Sequence, residues 1–230
     1  MKKLLVGLLA AWSLNVGANQ TVNDTQTWVP VNINYKFGET NWRGFLELQP
    51  RISHNSSELG AAIVRPAIGY AISPNATLWA GYLMQATEDG FTYHYLIENR
   101  AFQGLTWKDT ALDKQFIWEV RNRFEERFLP HNDDVSLRWR TRIRGEYIIP
   151  QYKAVSLIAS DEIFVTLNDN DTNRQLEGGW NQNRAYVGVG YRFFPEFQVE
   201  TGYLNQYTPG HYGKANSNNN VWMTNLNFNF

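Results

Sequence analysis

The last ten residues of the chain alternate in polarity and end on an aromatic residue. From Thr224 onward, polar and apolar side chains follow one another strictly. Leu226, Phe228 and Phe230 therefore share one face of a predicted strand, and three asparagines share the other. A soluble domain seldom ends on such a strand, whereas a membrane barrel pairs its last strand with its first and leaves no free edge. The pattern predicts a strand that separates lipid from water.

The N-terminus has the three parts of a secretory signal. Two lysines follow Met1, residues 4–14 form an apolar run, and residues 16–18 form a small-residue cleavage site. About ten apolar residues are too few for a membrane anchor, which needs about twenty. We therefore predict that residues 1–18 are a cleaved signal peptide and that residues 19–230 form one outer-membrane β-barrel.

The composition supports a barrel and disfavours a helical membrane protein. Apolar residues make up 43% of the chain, yet the mean hydropathy is −0.45 and no later stretch approaches eighteen apolar residues. Aromatic residues are abundant at 15%, as expected where rings line membrane interfaces. The chain has no cysteine, so it has neither a disulfide framework nor a lipid-modified cysteine.

Segments of period two, separated by turn residues, run along the mature chain. Their predicted bounds are 27–37, 42–53, 59–72, 76–87, 92–107, 114–129, 135–149, 153–167, 181–194, 196–207 and 220–230. Bacterial barrels normally have an even number of strands, so a strand is missing near the mature N-terminus, or the first segment is a plug or an edge. We predict an all-β fold, a transmembrane up-and-down antiparallel β-barrel of about twelve strands, with ten as the alternative.

Turn lengths predict the orientation of this barrel. Residues 73–75, 149–151 and 194–196 are short turns, while residues 168–180 and 208–219 are long and polar. Outer-membrane barrels have short periplasmic turns and long external loops. The short turns are therefore predicted to be periplasmic.

Two neighbouring segments, residues 119–128 and 136–146, place a charge on every second residue, and most of these charged side chains are arginines. An arginine on the lipid side of a barrel costs about 2 to 4 kcal/mol at the bilayer midplane, so the arginines are predicted to face the lumen. Leu137, Trp139, Ile143 and Tyr147 would then contact lipid. Thirteen of the fourteen arginines fall on the inward parity: Arg43, Arg51, Arg65, Arg100, Arg121, Arg123, Arg127, Arg138, Arg140, Arg142, Arg144, Arg184 and Arg192.

Fewer acidic residues share this inward parity, which predicts an electropositive lumen. The inward acids are Glu47, Glu98, Glu119, Glu125, Glu146, Glu162 and Glu200. Two acids fall on the lipid parity instead. We attribute Glu126 to the rim of the barrel and Asp161 to a β-bulge.

Several segments of the chain resemble the uncharacterised Gram-negative outer-membrane proteins that are grouped as a domain of unknown function (DUF). The matching segments are residues 98–100, 121–128, 138–144, 161–165, 180–184, 188–191 and 200–204. The resemblance covers most of the mature chain and implies an outer-membrane barrel. It brings no established activity and so no catalytic residues.

Two interpretations of the charged lumen compete. The arginines and glutamates could form salt-bridge ladders that fill a closed structural barrel, with Gly188 and Gly190 making room for guanidinium groups. Alternatively, the lumen is a porin-like channel or binding cavity for small anionic solutes. The excess of arginine over glutamate favours the second interpretation. Its predicted binding residues are Arg100, Arg121, Arg123, Arg140, Arg142 and Arg184, oriented by Glu119, Glu125 and Glu162.

A third interpretation, an outer-membrane lipid-modifying hydrolase, has little support. Nucleophilic hydrolysis needs a hydroxyl and a histidine within hydrogen-bond reach. The chain has four histidines; three are predicted in loops, and His94 faces inward near one rim. Ser53 and His54 are adjacent and would point to opposite faces of a strand. We identify no catalytic residue.

No metal, cofactor or nucleic acid is expected as a ligand. Residues 169–173 have the start of a calcium loop, but Arg174 replaces the required glycine and Trp180 the required glutamate. The inward arginines could not reach a duplex. The expected partners are outer-membrane lipid and lipopolysaccharide, the barrel-assembly machinery during biogenesis, and small anionic solutes.

Overall fold

The computed structural model describes residues 20–89, 94–169, 177–211 and 214–230, and these residues form a closed sheet of twelve strands. The predicted signal peptide lies outside the described residues. The strands are β1 (Thr21–Trp28), β2 (Val31–Lys36), β3 (Trp42–Ser53), β4 (Glu58–Ala71), β5 (Ala76–Glu88), β6 (Tyr95–Ala111), β7 (Phe116–Phe128), β8 (Val135–Ile148), β9 (Val155–Thr166), β10 (Gly179–Phe194), β11 (Phe197–Thr208) and β12 (Asn216–Asn229). Within these ranges, no helix is long and apolar enough to cross a bilayer.

Strands β2 to β12 pair with their chain neighbours in antiparallel order, and the sheet closes on itself. This confirms the predicted all-β, up-and-down barrel. The short connections after β2, β4, β6, β8 and β10 lie at one end, which we call the turn end, with Phe230. The last residues of β9 and β11 and the first residues of β10 and β12 lie at the opposite end, which we call the loop end.

The first two strands share one position in the barrel. β1 and β2 both lie between β12 and β3, and both pair with β12 in parallel at the same register, from Thr21 opposite Asn216 to Asn34 opposite Asn229. Residues 29 and 30 interrupt the strand, because Pro30 has no backbone N–H to donate. The carbonyl of Pro30 still accepts a hydrogen bond from the Leu226 amide at 2.8 Å.

This broken strand explains the odd number of segments in the sequence. The predicted start at residue 27 is wrong, since the strand begins at Thr21. The twelve strands fill eleven positions around the barrel, and closure joins a first and a last strand that run in the same direction. The alternation of polarity did not predict the break at residues 29 and 30. The two strands on either side of Pro30 are short, so neither gives a clear pattern by itself.

The inner and outer faces follow the alternation of the sequence. Trp139 and Ile143 are 41% and 53% exposed on the outer face, while Arg138 and Arg140, on either side of Trp139, are each 4% exposed. Glu126 lies on the outer face near the loop end of β7. The bulge proposed for Asp161 is wrong: Asp161 pairs regularly with Ile143 and Ala185.

Candidate functional site: the lumen

The barrel encloses a cavity of about 760 Å³ that is lined mainly by charged and amide side chains. Lys108 and six glutamates line it, and a seventh glutamate, Glu125, lies behind the arginines at 1% exposure. Among the described residues, twelve arginines line the cavity: Arg51, Arg65, Arg100, Arg121, Arg123, Arg127, Arg138, Arg140, Arg142, Arg144, Arg184 and Arg192. Arg43 is at the turn end, where its Nη1 donates to two backbone carbonyls at 2.9 Å each.

Two glutamates join the arginines of β7, β8 and β10 into one network. Glu125 accepts hydrogen bonds from Arg138 and from Arg140 Nη1, the latter at 2.6 Å. Arg140 Nη2 also donates to Glu162 at 2.9 Å. Glu162 accepts a further bond from Arg121 at 2.9 Å and lies 3.9 Å from Arg184. Glu125 lies directly opposite Arg138 on the adjacent strand, and Arg140 is two residues further along on the same face. Such direct and diagonal neighbours are within reach of long side chains.

The other lumen glutamates have arginine partners as well. Glu98 binds Arg100 at 2.7 Å and Arg127 at 2.6 Å, and both contacts use two hydrogen bonds. Arg144 bridges Glu146 at 3.0 Å and Glu200 at 2.6 Å. The remaining pairs are Arg142 with Glu119 and Arg65 with Glu47. β6 to β9 thus form a wall of alternating charges, which we call the charged wall.

Some of the arginines have no hydrogen-bonded carboxylate in the part of the chain that is described. Arg51 donates to the amide oxygen of Gln49 at 3.0 Å, and no carboxylate lies within 4 Å of it. Arg123 approaches Glu125 at 3.8 Å, beyond hydrogen-bond distance, and its Nη1 has no hydrogen-bond partner. The lumen therefore holds guanidinium groups whose charge is not cancelled by a bonded acid.

Aromatic rings in the bore support these arginines. The Arg51 guanidinium lies 3.8 Å from the centre of the Trp28 ring, and that of Arg123 lies 4.2 Å from the Phe102 ring. Phe164 contacts three guanidinium groups at 4.5 to 5.2 Å. A ring face attracts a cation without neutralising it. Each of these arginines thus keeps its charge while it is held in place.

The strands at the closure line the bore with amides. β2 and β12 contribute five asparagines to the cavity, and β11 adds two glutamines: Asn32, Asn34, Asn225, Asn227, Asn229, Gln198 and Gln206. Asn32 donates to Asn227 at 3.0 Å, and Asn34 to Asn229 at 3.2 Å. We call this surface the amide wall. It is uncharged apart from Glu200 and offers both hydrogen-bond donors and acceptors.

A small apolar cluster fills part of the bore beside the amide wall. It consists of Trp28, Ile158, Tyr186, Leu204 and Val221, each at most 5% exposed, with Met223 packed against it. These side chains therefore take up part of the interior between the amide wall and the charged wall.

The nine binding residues predicted from sequence all lie in this lumen region. Arg100, Arg121, Arg140 and Arg142 are bonded to glutamates, and Arg184 donates to Gln206 at 2.8 Å. Whether these residues bind a solute stays a prediction. Sequence reasoning missed Lys108 and the inward rings, although Phe102 and Lys108 have the parity of Arg100 and could have been found by extending it.

Two smaller predictions have different outcomes. Gly188 and Gly190 do not make room for guanidinium groups: a Cβ at Gly188 would meet the Tyr186 hydroxyl, and one at Gly190 would meet Ser156 and Gln198. The sequence predicts that residues 169–173 do not form a calcium loop, and most of these residues lie outside the described ranges. Of the histidines, His54 and His211 lie beside Glu58 and Glu177, at 3.4 and 3.0 Å.

Comparisons with known proteins extend these observations. A family model described as "Protein of unknown function (DUF2490)" matches residues 25–218. An uncharacterised protein of Methylorubrum extorquens is 32% identical over 188 residues, which are 81% of this chain and 80% of that relative. Among solved structures, the NanC porin has a TM-score of 0.55 at 12% identity, over 90% of this chain and 99% of that one. At that identity, the likeness concerns the fold alone.

Proposed function

The chain belongs to the DUF2490 family of proteins of unknown function, and from the charges in its bore we propose that it is an outer-membrane channel for small anionic solutes. Membership confirms the resemblance stated from the sequence. The porin-like barrel is established, so the proposal concerns the location, the open bore and the preference for anions.

The excess of cations in the lumen carries this proposal. Among the described residues, thirteen cationic side chains line the cavity, against six glutamates and the buried Glu125. Mutual neutralisation would need nearly equal numbers. Rings of arginine select anions by their field and by forked hydrogen bonds to carboxylate or phosphate. Arg51 is the strongest candidate contact, since no carboxylate of the described ranges is bonded to it.

The outer face supports the proposed location. Exposed aromatic rings occur near the turn end, including Trp42, Tyr70 and Tyr191, and near the loop end, including Trp139 and Trp180. Two such girdles around an apolar band are typical of barrels in the outer membrane. We further propose that residues 1–18 direct export, that the barrel-assembly machinery inserts the chain, and that the short turns face the periplasm.

Conductance in a planar bilayer tests the proposal. With a potassium chloride gradient, the reversal potential should show a preference for chloride. Arg51→Gln should lower the ratio of anion to cation permeability by about twofold or more, because it removes an uncancelled charge from the bore. Lys153→Gln removes the same charge at an exposed turn and serves as the control. A folded barrel that does not conduct, or that prefers potassium, contradicts the proposal.

A closed structural barrel is the second candidate, and the apolar cluster in the bore favours it. Trp28 and Val221 are 2% and 0% exposed, and several arginines of the charged wall are less than 10% exposed. Side chains can fill a narrow barrel completely. The same bilayer experiment separates the candidates, because a filled barrel gives no current at any salt concentration.

A further inference from the structure

The outer face of β7 to β10 has polar side chains in the middle of its apolar band. We call these residues, Asn122, Thr141, Asp161 and Asn183, the outer polar patch. On β9, Asp161 lies four residues from Leu157, which pairs with Tyr147, and four from Val165, which pairs with Trp139. The carboxylate therefore lies halfway between the two aromatic levels. Asp161 alternates with Ser160 and Glu162, which line the cavity, so it lies on the outward parity of β9.

The patch is satisfied only in part by its own members. Asn183 Nδ2 donates to both carboxylate oxygens of Asp161, at 2.9 and 3.2 Å. Thr141 donates to Asn122 Oδ1 at 2.8 Å and accepts a bond from the Trp139 indole at 3.0 Å. Within the described ranges, no side chain accepts from the Asn122 amide nitrogen, and no other donor reaches Asp161. Hydrocarbon offers no partner for these groups.

The opposite side of the barrel shows that such a patch is not a general feature of this surface. The outward positions of β3, β4 and β5 at comparable distances from the strand ends are all apolar or aromatic: Leu46, Leu48, Val64, Pro66, Ile68, Ala80 and Tyr82. Ile68 is 51% exposed and Val64 36%. One side is thus suited to lipid, whereas the other carries an acid and amides at the same depth.

We propose that the outer polar patch is the contact between two copies of this chain in the membrane. The inference rests on the proposed placement of the barrel in a bilayer. The patch is complementary to itself, since Asn122 offers free N–H groups while Asp161 and Asn183 offer acceptor oxygens. A two-fold axis normal to the membrane and centred on β8 places β7 of one copy opposite β9 of the other. The donors of each copy then face the acceptors of its partner.

Cysteine cross-linking tests this contact directly, because the natural chain has no cysteine. Ile143→Cys places a thiol on the outer face of β8, at the proposed axis. Ile68→Cys places one on the apolar side, and the two isoleucines are matched at 53% and 51% exposure. In native outer membranes under mild oxidation, Ile143→Cys should form the disulfide-linked dimer at least tenfold more than Ile68→Cys.

A second measurement keeps the test independent of cysteine chemistry. Light scattering of the unmodified protein in mild detergent should give the mass of two copies, and Asp161→Leu should give the mass of one while circular dichroism stays that of a barrel. A single-copy mass for the unmodified protein, equal cross-linking at both cysteines, or capture of a different protein by Ile143→Cys overturns the proposal. Monomeric barrels that still conduct anions would overturn this contact and leave the proposed function intact.

Discussion

The charged wall and the amide wall line the same bore, but they satisfy their polar groups in different ways. On the charged wall, the glutamates hold arginines of their own strand or of nearby strands, as Glu125 holds Arg138 and Arg140. On the amide wall, asparagine bonds to asparagine across the parallel closure, as Asn32 does to Asn227. An amide can both donate and accept, so identical residues can pair, whereas a charge requires an opposite charge.

This difference shows where the barrel is vulnerable. Removing one partner of a buried ion pair leaves an uncompensated charge, which destabilises a protein by about 3 to 5 kcal/mol. Removing one partner of a neutral hydrogen bond costs about 0.5 to 1.5 kcal/mol. The charged wall should therefore be far more sensitive to single substitutions than the amide wall.

The largest effect is expected for Glu125→Gln. Glu125 is 1% exposed and accepts hydrogen bonds from two arginines, so its neutralisation leaves both guanidinium groups buried without their counter-charge. The free energy of unfolding should fall by about 3 to 5 kcal/mol. Urea unfolding in lipid vesicles, followed by tryptophan fluorescence, measures it. Glu39→Gln is the control, because Glu39 pairs with Lys36 at the exposed rim. Equal midpoints for the two variants would contradict the comparison.

A smaller effect should follow when both members of an ion pair are replaced together. Arg65→Met leaves Glu47, which is 4% exposed, without its arginine and should lower stability by about 3 kcal/mol. In the double variant Glu47→Leu with Arg65→Met, no orphaned charge remains, and stability should return to within about 1 kcal/mol of the natural protein. The same urea titration gives both values. A double variant less stable than Arg65→Met alone would show that this pair of β3 and β4 itself stabilises the barrel.

The smallest effect is expected on the amide wall. Asn227→Ala removes the bond from Asn32 and should reduce the free energy of unfolding by about 1 kcal/mol. Asn225→Ala, on the same face of β12, is a matched control, because no hydrogen bond from its side chain occurs within the described residues. A loss comparable to that of Glu125→Gln would show that the closure depends on these amides more than we infer.

The alternating sequence was sufficient to predict the barrel and the inward direction of the arginines. Trp139, Arg140 and Ile143 lie on the faces that their parity indicates, because a strand shifted by one residue would place its arginines on the outer face. The antiparallel pairing of chain neighbours follows from this alternation and from the tight turns that join the strands. These local rules act over a few residues and can therefore be found in a single sequence.

Other features depended on contacts that the sequence does not display. The polar residues of β1 give no hydrophobic alternation, so its start at Thr21 became visible only through its pairing with β12. The choice of glutamate partner for Arg121 or Arg184 depends on distances across the bore. Asp161 is an acid on the outer face, where the other strands carry mainly apolar side chains, and the alternation of the sequence gives no physical reason for this position.

The parallel closure also constrains how the chain acquires its final form. Asn32 and Asn227 are 195 positions apart, whereas the antiparallel neighbours from β2 to β12 follow one another directly along the chain. Bringing such distant segments together has the highest entropic barrier, so hairpins should assemble first and ring completion should come last. Until then, the nascent molecule is an open curved sheet with β12 at one margin. Pro30 and the neighbouring polar residues discourage that sheet from pairing with a second unfinished one, which disfavours aggregation while the chain folds.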